Sequence, residues 1–433
     1  MKILLLGLGR ANLAVAQYLV KKGEQVFVYD ENMPGLSARA QQMIEEGQVK
    51  LHTGEHYDLA ISSPGFPPSR PVCKVLEDQG TTIIDEIEYV YRQLDRPKIV
   101  AVTGTNGKST TAALISSILC VAQIDHFLGG NIAPGKPFSH ALLQKKAGYY
   151  VLEVSSFQLM RVDRFHPYIA VFTNIGVDHL NWHADLDEYR RAKLRVFSNQ
   201  ESVDYAVLNF DDEWMKHVAD SIRARTVYFG HHATSGVSLN SKFHYEGVEL
   251  FPREGLPLLG EHNLMNIAAA IAVAKILQIS TPDIEKGVMN FRSLPHRLED
   301  LGLIYGIRYI NNSMCTHAGA AVASFEAVEG SKIIILGGRH KGDEGTNYFD
   351  ILIREAKACV VLGENAGFVA EYFKEHGYER YAIARDMTDA VNKARNFAEP
   401  GDIILLNPGF ASFDCFRDFE ERGEAFRNAA RQD

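Results

Sequence analysis

The residues best suited to chemistry lie together in the run Gly104-Thr-Asn-Gly107-Lys108-Ser109-Thr110-Thr111. An apolar stretch, 98–102, precedes it, and a helical pattern, 111–120, follows it. Glycines in a strand-to-helix turn let backbone N–H groups close around phosphate oxygens. A lysine at the end of the turn neutralises β- and γ-phosphate charge, and a hydroxyl on Ser109 or Thr110 suits Mg²⁺. Gly104, Thr105, Asn106, Gly107, Lys108, Ser109 and Thr110 are therefore candidate nucleotide contacts. Val102 stands where the general pattern has its first glycine.

Other constellations fall near predicted strand ends, where open parallel sheets place their ligands. Glu153 closes an apolar run over 149–154, and a carboxylate there is a candidate Mg²⁺ ligand. Asn174, Asp178 and His179 follow the next run and suggest a second metal or phosphate contact. Zinc fits poorly, because no cysteine is near in sequence. Arg190, Arg191 and Lys193 read by composition as a solvated helix face. Asn263 and Asn266 share a helix face, where carboxamides suit an adenine edge, and Asn263 equally suits a helix cap. The C-terminal run Asn407-Pro-Gly409-Phe-Ala-Ser412-Phe413, with Gly337-Gly-Arg339-His340-Lys341, offers donors and cations for an acidic small molecule. At the other end, Gly7-Leu-Gly9-Arg10-Ala11-Asn12 nearly completes a dinucleotide fingerprint, and Asp30 ends the following strand where an acid binds ribose.

Alternating strands and helices must hold these groups. The expected fold is α/β with three domains: an N-terminal Rossmann-like unit, a central P-loop ATPase with a mostly parallel sheet, and a C-terminal Rossmann-like unit. Breaks at Asp95-Arg-Pro97 and Leu294-Pro-His-Arg297 put the boundaries at 1–95, 96–296 and 297–433. The C-terminal domain is expected to open with a single strand over 304–310, and 230–255 is predicted as turns or a short β excursion. The 433 residues carry a net charge of −9, which argues against a nucleic-acid surface. Five scattered cysteines fit reduced cytosolic thiols, and no apolar run is long enough to span a membrane.

Taken together, Thr103-Gly-Thr-Asn-Gly-Lys-Ser-Thr110, Glu153-Val-Ser-Ser-Phe-Gln158, Asn174 with Asp178-His179, Tyr189-Arg-Arg-Ala-Lys193, His262-Asn-Leu-Met-Asn266 and Leu294-Pro-His-Arg297 resemble the ordered motifs of the Mur ligases. These are ATP-dependent amino-acid ligases of peptidoglycan synthesis. The ending Phe410-Ala-Ser-Phe-Asp-Cys-Phe-Arg-Asp-Phe-Glu-Glu-Arg-Gly423 and the short N-terminal unit with Ser63-Pro-Gly65 resemble the D-glutamate-adding branch.

The resemblance implies a cytoplasmic, monomeric enzyme whose partners are UDP-N-acetylmuramoyl-L-alanine and D-glutamate, using ATP and two Mg²⁺ ions. It implies UDP-substrate contacts at Gly9, Arg10, Ala11, Asn12, Asp30, Gly65 and Asn131. It implies catalytic roles for Lys108, Glu153, His179 and Lys193, with Ser109, Thr110, Glu153, His179 and a carbamylated Lys193 on metal. Asn263, Asn266, Arg297 and Asn312 would complete the ATP site, and Thr316, Lys341, Ser412, Phe413 and Phe419 would hold the amino acid. One segment departs from the family pattern: Asn312 replaces an aspartate and Met314 a lysine. Alternatives left open are a ligase adding L-glutamate or another amino acid, an inactive ligase-like nucleotide-binding protein, and a dehydrogenase resting on the N-terminal fingerprint.

Overall fold

A computed structural model describes residues 1–133, 135–176, 182–258, 260–339 and 345–432. The chain divides into two compact units, one of residues 1–255 and 264–291, the other of 256–263 and 292–433. The first two expected domains each carry a sheet, and both sheets belong to the first unit.

The first sheet is parallel throughout, in the order Val49–Leu51, Gln25–Tyr29, Lys2–Leu6, Leu59–Ser62, Ile83–Asp85. Its central strand reads Lys-Ile-Leu-Leu-Leu and is buried beyond the first residue, as a strand covered on both faces requires. Helix Arg10–Lys21 follows, buried through Ala11, Ala14, Val15, Ala16 and Leu19.

Among the described residues the central sheet has nine strands. Ile99–Thr103 lies between Ile169–Phe172 and Tyr149–Glu153, with every residue of the three strands buried except Tyr149. The register sets Val102 beside Glu153 and Thr103 beside Phe172. Neighbouring C-terminal ends are thereby level, which puts Glu153, Thr173 and the glycine turn at one rim. Helix Lys108–Val121 packs so closely on helix Thr281–Asn290 that a Cβ at Gly287 would lie 2.6 Å from the Ile118 Cα. Strands His126–Gly130 and Arg225–Gly230 are not legible as strands in the sequence, the first because it ends in Gly-Gly. The 230–255 stretch forms an antiparallel excursion, Val237–Leu239, Lys242–Tyr245 and Val248–Pro252.

In the second unit the order is Glu299–Ile304, Ile307–Asn311, Ile403–Leu406, Lys332–Leu336, Ala358–Val361, Tyr381–Ile383. The single strand predicted over 304–310 is instead the turn and return arm of a hairpin. Tyr305 and Gly306, at φ 51° and 79°, make its two-residue turn.

The two sheets of the first unit meet at helix Glu86–Gln93, whose start buries three carboxylates: Asp85, Glu86 and Glu88. Asp85 caps the helix at Ile87 N, and Glu88 accepts from the N–H groups of Asp163, Arg164 and Phe165. Glu86 accepts from Ser139 N through one oxygen, while its second oxygen is buried without a partner among the described residues. Burial pushes the Glu86 carboxyl up to about 7, against the pull of the Ser139 contact. The folded pKa is the raised one, so stability is highest below the ordinary 4.5 and falls as pH climbs from there toward 7. Glu86→Gln is expected to remove this loss, gaining about 3 kcal/mol on wild type between pH 4 and pH 8. Urea unfolding of both proteins at the two pH values measures it, and a pH-independent difference would contradict it.

Candidate active site

The glycine turn is shaped by near-contacts that only hydrogen permits. Gly104 has φ 142°, and a Cβ there would lie 2.0 Å from Thr173 Oγ1. Gly107 has φ 82°, and a Cβ there would lie 2.2 Å from Asn266 Oδ1. Gly107 is also the N-cap of helix Lys108–Val121, and among the described residues no side chain caps that end. The first N–H groups of a helix have no intrahelical acceptor, and its dipole favours negative charge there.

Side chains hold the turn from several sides. Lys193 Nζ donates to Gly104 O at 2.7 Å, Lys108 Nζ to Thr105 O at 2.7 Å, and Thr173 Oγ1 to Asn106 O at 2.6 Å. Asn174 accepts from Thr105 N through its carbonyl at 2.9 Å and from Asn106 N through Oδ1 at 2.9 Å. The Tyr189 hydroxyl lies 3.0 Å from Thr105 Oγ1. Helix Leu186–Leu194 thus presents Tyr189 and Lys193, four residues apart, to one turn, and Lys193 is 1% exposed. The solvated face read from composition holds for Arg191, which is exposed, and fails for Lys193.

Ser109 and Glu153, both buried, meet directly, Ser109 Oγ donating to Glu153 Oε2. The Glu153 carbonyl accepts from Asn131 N at 2.9 Å, so Asn131, whose side chain is exposed, stands at the same rim. Thr110 is half-buried on the helix start. Asn266 Oδ1 accepts from Thr111 Oγ1 at 3.2 Å, and Asn263 lies one turn before it on helix Glu261–Ile276. His179, with Asp178, lies outside the described residues. His183 Nε2 lies 2.9 Å from Ser156 Oγ, both buried, and desolvation holds this imidazole below the usual histidine range.

In the N-terminal domain, two expected ligand groups are engaged with their own backbone. Asn12 is fully buried, and its Nδ2 donates to the carbonyls of Leu6, Gly7 and Ile61. It shapes the glycine turn from beneath. Asp30 accepts from Leu8 N at 2.7 Å and from Asn32 N at 2.8 Å, which fixes the opposite wall of that turn. Arg10 donates to Gly135 O at 2.7 Å, Gly9 caps helix Arg10–Lys21, Ala11 is buried, and Gly65 is exposed after strand Leu59–Ser62.

In the second unit, Asn312 is 5% exposed, accepting from Leu298 N and donating to Asn407 Oδ1 at 2.9 Å. Arg297 is flanked by His296 and Leu298, both left-handed at φ 66° and 44°. Backbone of that kind in a bulky residue is strained and persists only where packing enforces it. Thr316 is half-buried, Ser412 buried and Phe413 59% exposed, and the Phe419 carbonyl accepts from Ser313 Oγ. Lys341 lies outside the described residues.

The Mur ligase middle-domain model matches residues 102–274, and the model for the N-terminal domain of MurD-like Mur ligases matches 1–85. The UDP-N-acetylmuramoylalanine–D-glutamate ligase of Pelotomaculum thermopropionicum is 37% identical, over 98% of this chain and 96% of its own. The enzyme of that name from Alkaliphilus metalliredigens is 35% identical, over 98% and 97%. The chain belongs to the Mur ligase family. Among solved Mur ligases, UDP-N-acetylmuramate–alanine ligase MurC of Thermotoga maritima shares the fold at TM-score 0.64 and 20% identity, over 99% of this chain and 98% of that one. MurF of the same organism, solved with ADP, aligns at TM-score 0.61 and 17% identity, over 86% and 95%.

The clearances around Gly107 set a test of the cradle. Gly107→Ala is expected to strain a left-handed position and push on Asn266, weakening nucleotide binding by about 30-fold or more. Titration calorimetry with ADP measures this, and an unchanged affinity would place the nucleotide elsewhere.

Proposed function

We propose that this Mur ligase joins D-glutamate to UDP-N-acetylmuramoyl-L-alanine with cleavage of ATP, through an acyl phosphate. The observation that carries the reading is the rim where the glycine turn, the helix start at Lys108 and the Ser109–Glu153 pair come together. The full-length likeness to D-glutamate ligases supplies the amino acid and the acceptor.

In this reading the alanyl carboxylate attacks the γ-phosphate, and ADP leaves. The turn's backbone and Lys108 hold the phosphates where charge develops, so positioning and electrostatics supply the rate. The amine of glutamate then attacks the acyl carbon, and phosphate departs from the tetrahedral intermediate. Asn263, Asn266, Arg297 and Asn312 are assigned to the nucleotide. Gly9, Arg10, Ala11, Asp30, Gly65 and Asn131 are assigned to the UDP substrate, with Asn12 as the support beneath them. Thr316, Lys341, Ser412, Phe413 and the Phe419 main chain are assigned to glutamate.

The donor set at the rim fits Mg²⁺. Ser109 and Glu153 offer hard oxygen ligands, and among the described residues no three His, Cys, Asp or Glu side chains converge as a closed metal cage would need. Ser109 and Glu153 would hold such an ion, which would supply neutralisation of phosphate charge. Thr110 and His179 are assigned to the same two ions. A carbamate on Lys193 would turn a cationic donor beside Gly104 into an anionic ligand for one of them.

The decisive assay supplies ATP, Mg²⁺ and UDP-N-acetylmuramoyl-L-alanine with D- or L-glutamate, and measures phosphate release and product mass. Product is expected with the D-isomer alone, and turnover with only the L-isomer would move the enzyme to another amino acid. Lys108→Ala is expected to lower turnover by about a thousandfold with the fold kept. Lys193→Ala is expected to lose roughly a hundredfold and to regain some of it with a short-chain carboxylate. Rescue by simple amines would contradict the carbamate.

A further inference from the structure

Helix Phe419–Arg431 buries a whole guanidinium near its start. Arg422 is 2% exposed, and among the described residues no carboxylate forms an ion pair with it. All three of its nitrogens donate to uncharged oxygens: Nε to Ser313 Oγ at 3.1 Å, Nη1 to Phe410 O at 3.0 Å, and Nη2 to Ser313 O at 2.8 Å. The Ser313 hydroxyl donates in turn to Phe419 O at 2.7 Å. Asp414 attracts this cation through space without contacting it, and it accepts from Glu364 N at 2.8 Å.

One buried cation therefore ties three segments together: the stretch after strand Ile307–Asn311, the turn after strand Ile403–Leu406, and the first turn of the helix. Thr316, Ser412 and Phe419 ride on those segments, and all three are assigned to the amino acid above. Burial pulls the guanidinium down to about 10, so it keeps its charge at neutral pH. Burying an ion without a contacting counter-ion is costly, and a neutral donor would tie the same carbonyls with a smaller desolvation penalty. The charge itself calls for an anion, and in a low-dielectric surrounding it acts beyond contact distance.

We propose that Arg422 is a positioning residue that also sets specificity. It fixes the segments that receive the amino acid, and its charge, which no carboxylate contacts among the described residues, favours a dicarboxylic amino acid over the corresponding amide. This rests on the D-glutamate reading. The test compares wild type, Arg422→Met and Arg422→Lys on D-glutamate and D-glutamine, with KM for ATP and the thermal midpoint measured alongside. Arg422→Met is expected to lose at least about tenfold in preference for D-glutamate, with KM for D-glutamate raised at least about tenfold and KM for ATP within about twofold. Arg422→Lys is expected to recover most of the preference. A folded Met variant that keeps the preference overturns the proposal, as does one that loses both amino acids alike with no gain from lysine. Should the Met variant not fold, Ser313→Ala removes one acceptor of the cation and is expected to raise KM for D-glutamate about three- to tenfold with kcat held. An unchanged KM in that variant is equally fatal. A wild-type enzyme that makes no product from D-glutamate sinks the reaction assignment instead, and that control is read first.

Discussion

Three successive carbonyls, those of Gly104, Thr105 and Asn106, are each claimed by a side chain. Peptide planarity makes this a constraint on the donors as well, because each carbonyl fixes the direction of the next N–H. Asn174 takes the N–H groups of Thr105 and Asn106. Thr173 and Asn174 hold Asn106 O, which sets the direction of the Gly107 N–H. The shape of the glycine turn is therefore a consequence of four neighbours: Lys108, Thr173, Asn174 and Lys193. The level register of the three central strands brings Thr173, Asn174 and Glu153 to that turn, and helix Leu186–Leu194 brings Lys193. A slip of one residue in either strand pair would dismantle the site while leaving the core apolar.

Much of this is legible in the residues. Apolar runs mark the buried strands, and the glycine spacing marks the turn, because both signals are local. Strand His126–Gly130 escapes because Gly-Gly reads as a breaker, and here Gly130 is needed where a Cβ would lie 2.2 Å from Glu153 O. The hairpin escapes because Tyr305 carries the positive φ that a turn usually gives to Gly, Asn or Asp. Lys193 reads as solvated because composition cannot see that its helix face meets the turn. Arg422 escapes for a deeper reason: its partners Ser313 and Phe410 are distant or unremarkable in sequence, and only the fold makes them one contact.

Buried polar groups divide the molecule into regions that are satisfied and regions that are poised. At the junction of the first two sheets, Glu88 is matched by three backbone donors and Arg92, so its burial is compensated. Glu86, two residues earlier, keeps one oxygen without a partner among the described residues. Ser139, which it holds, also donates to Ala11 O at 2.9 Å beside the N-terminal glycine turn. A single acid thus bears on the segment that links the turn at Gly9 to the rim at Asn131.

The departure at position 312 follows the same logic. Asn312 accepts from Leu298 N through its oxygen and donates to Asn407 Oδ1 through its nitrogen. Asn407 in turn donates to Ala321 O and to the Tyr348 hydroxyl, so its oxygen is left to receive. An ionised aspartate at 312 would still accept from Leu298 but would set an oxygen against an oxygen where the donor now stands. In a site this buried that repulsion is weakly screened. Asn312 and Asn407 are matched in this chain, so the amide is the residue the local network demands. Asn312 keeps a second amide hydrogen and a second lone pair, and these it can offer a nucleotide without giving up Leu298 or Asn407.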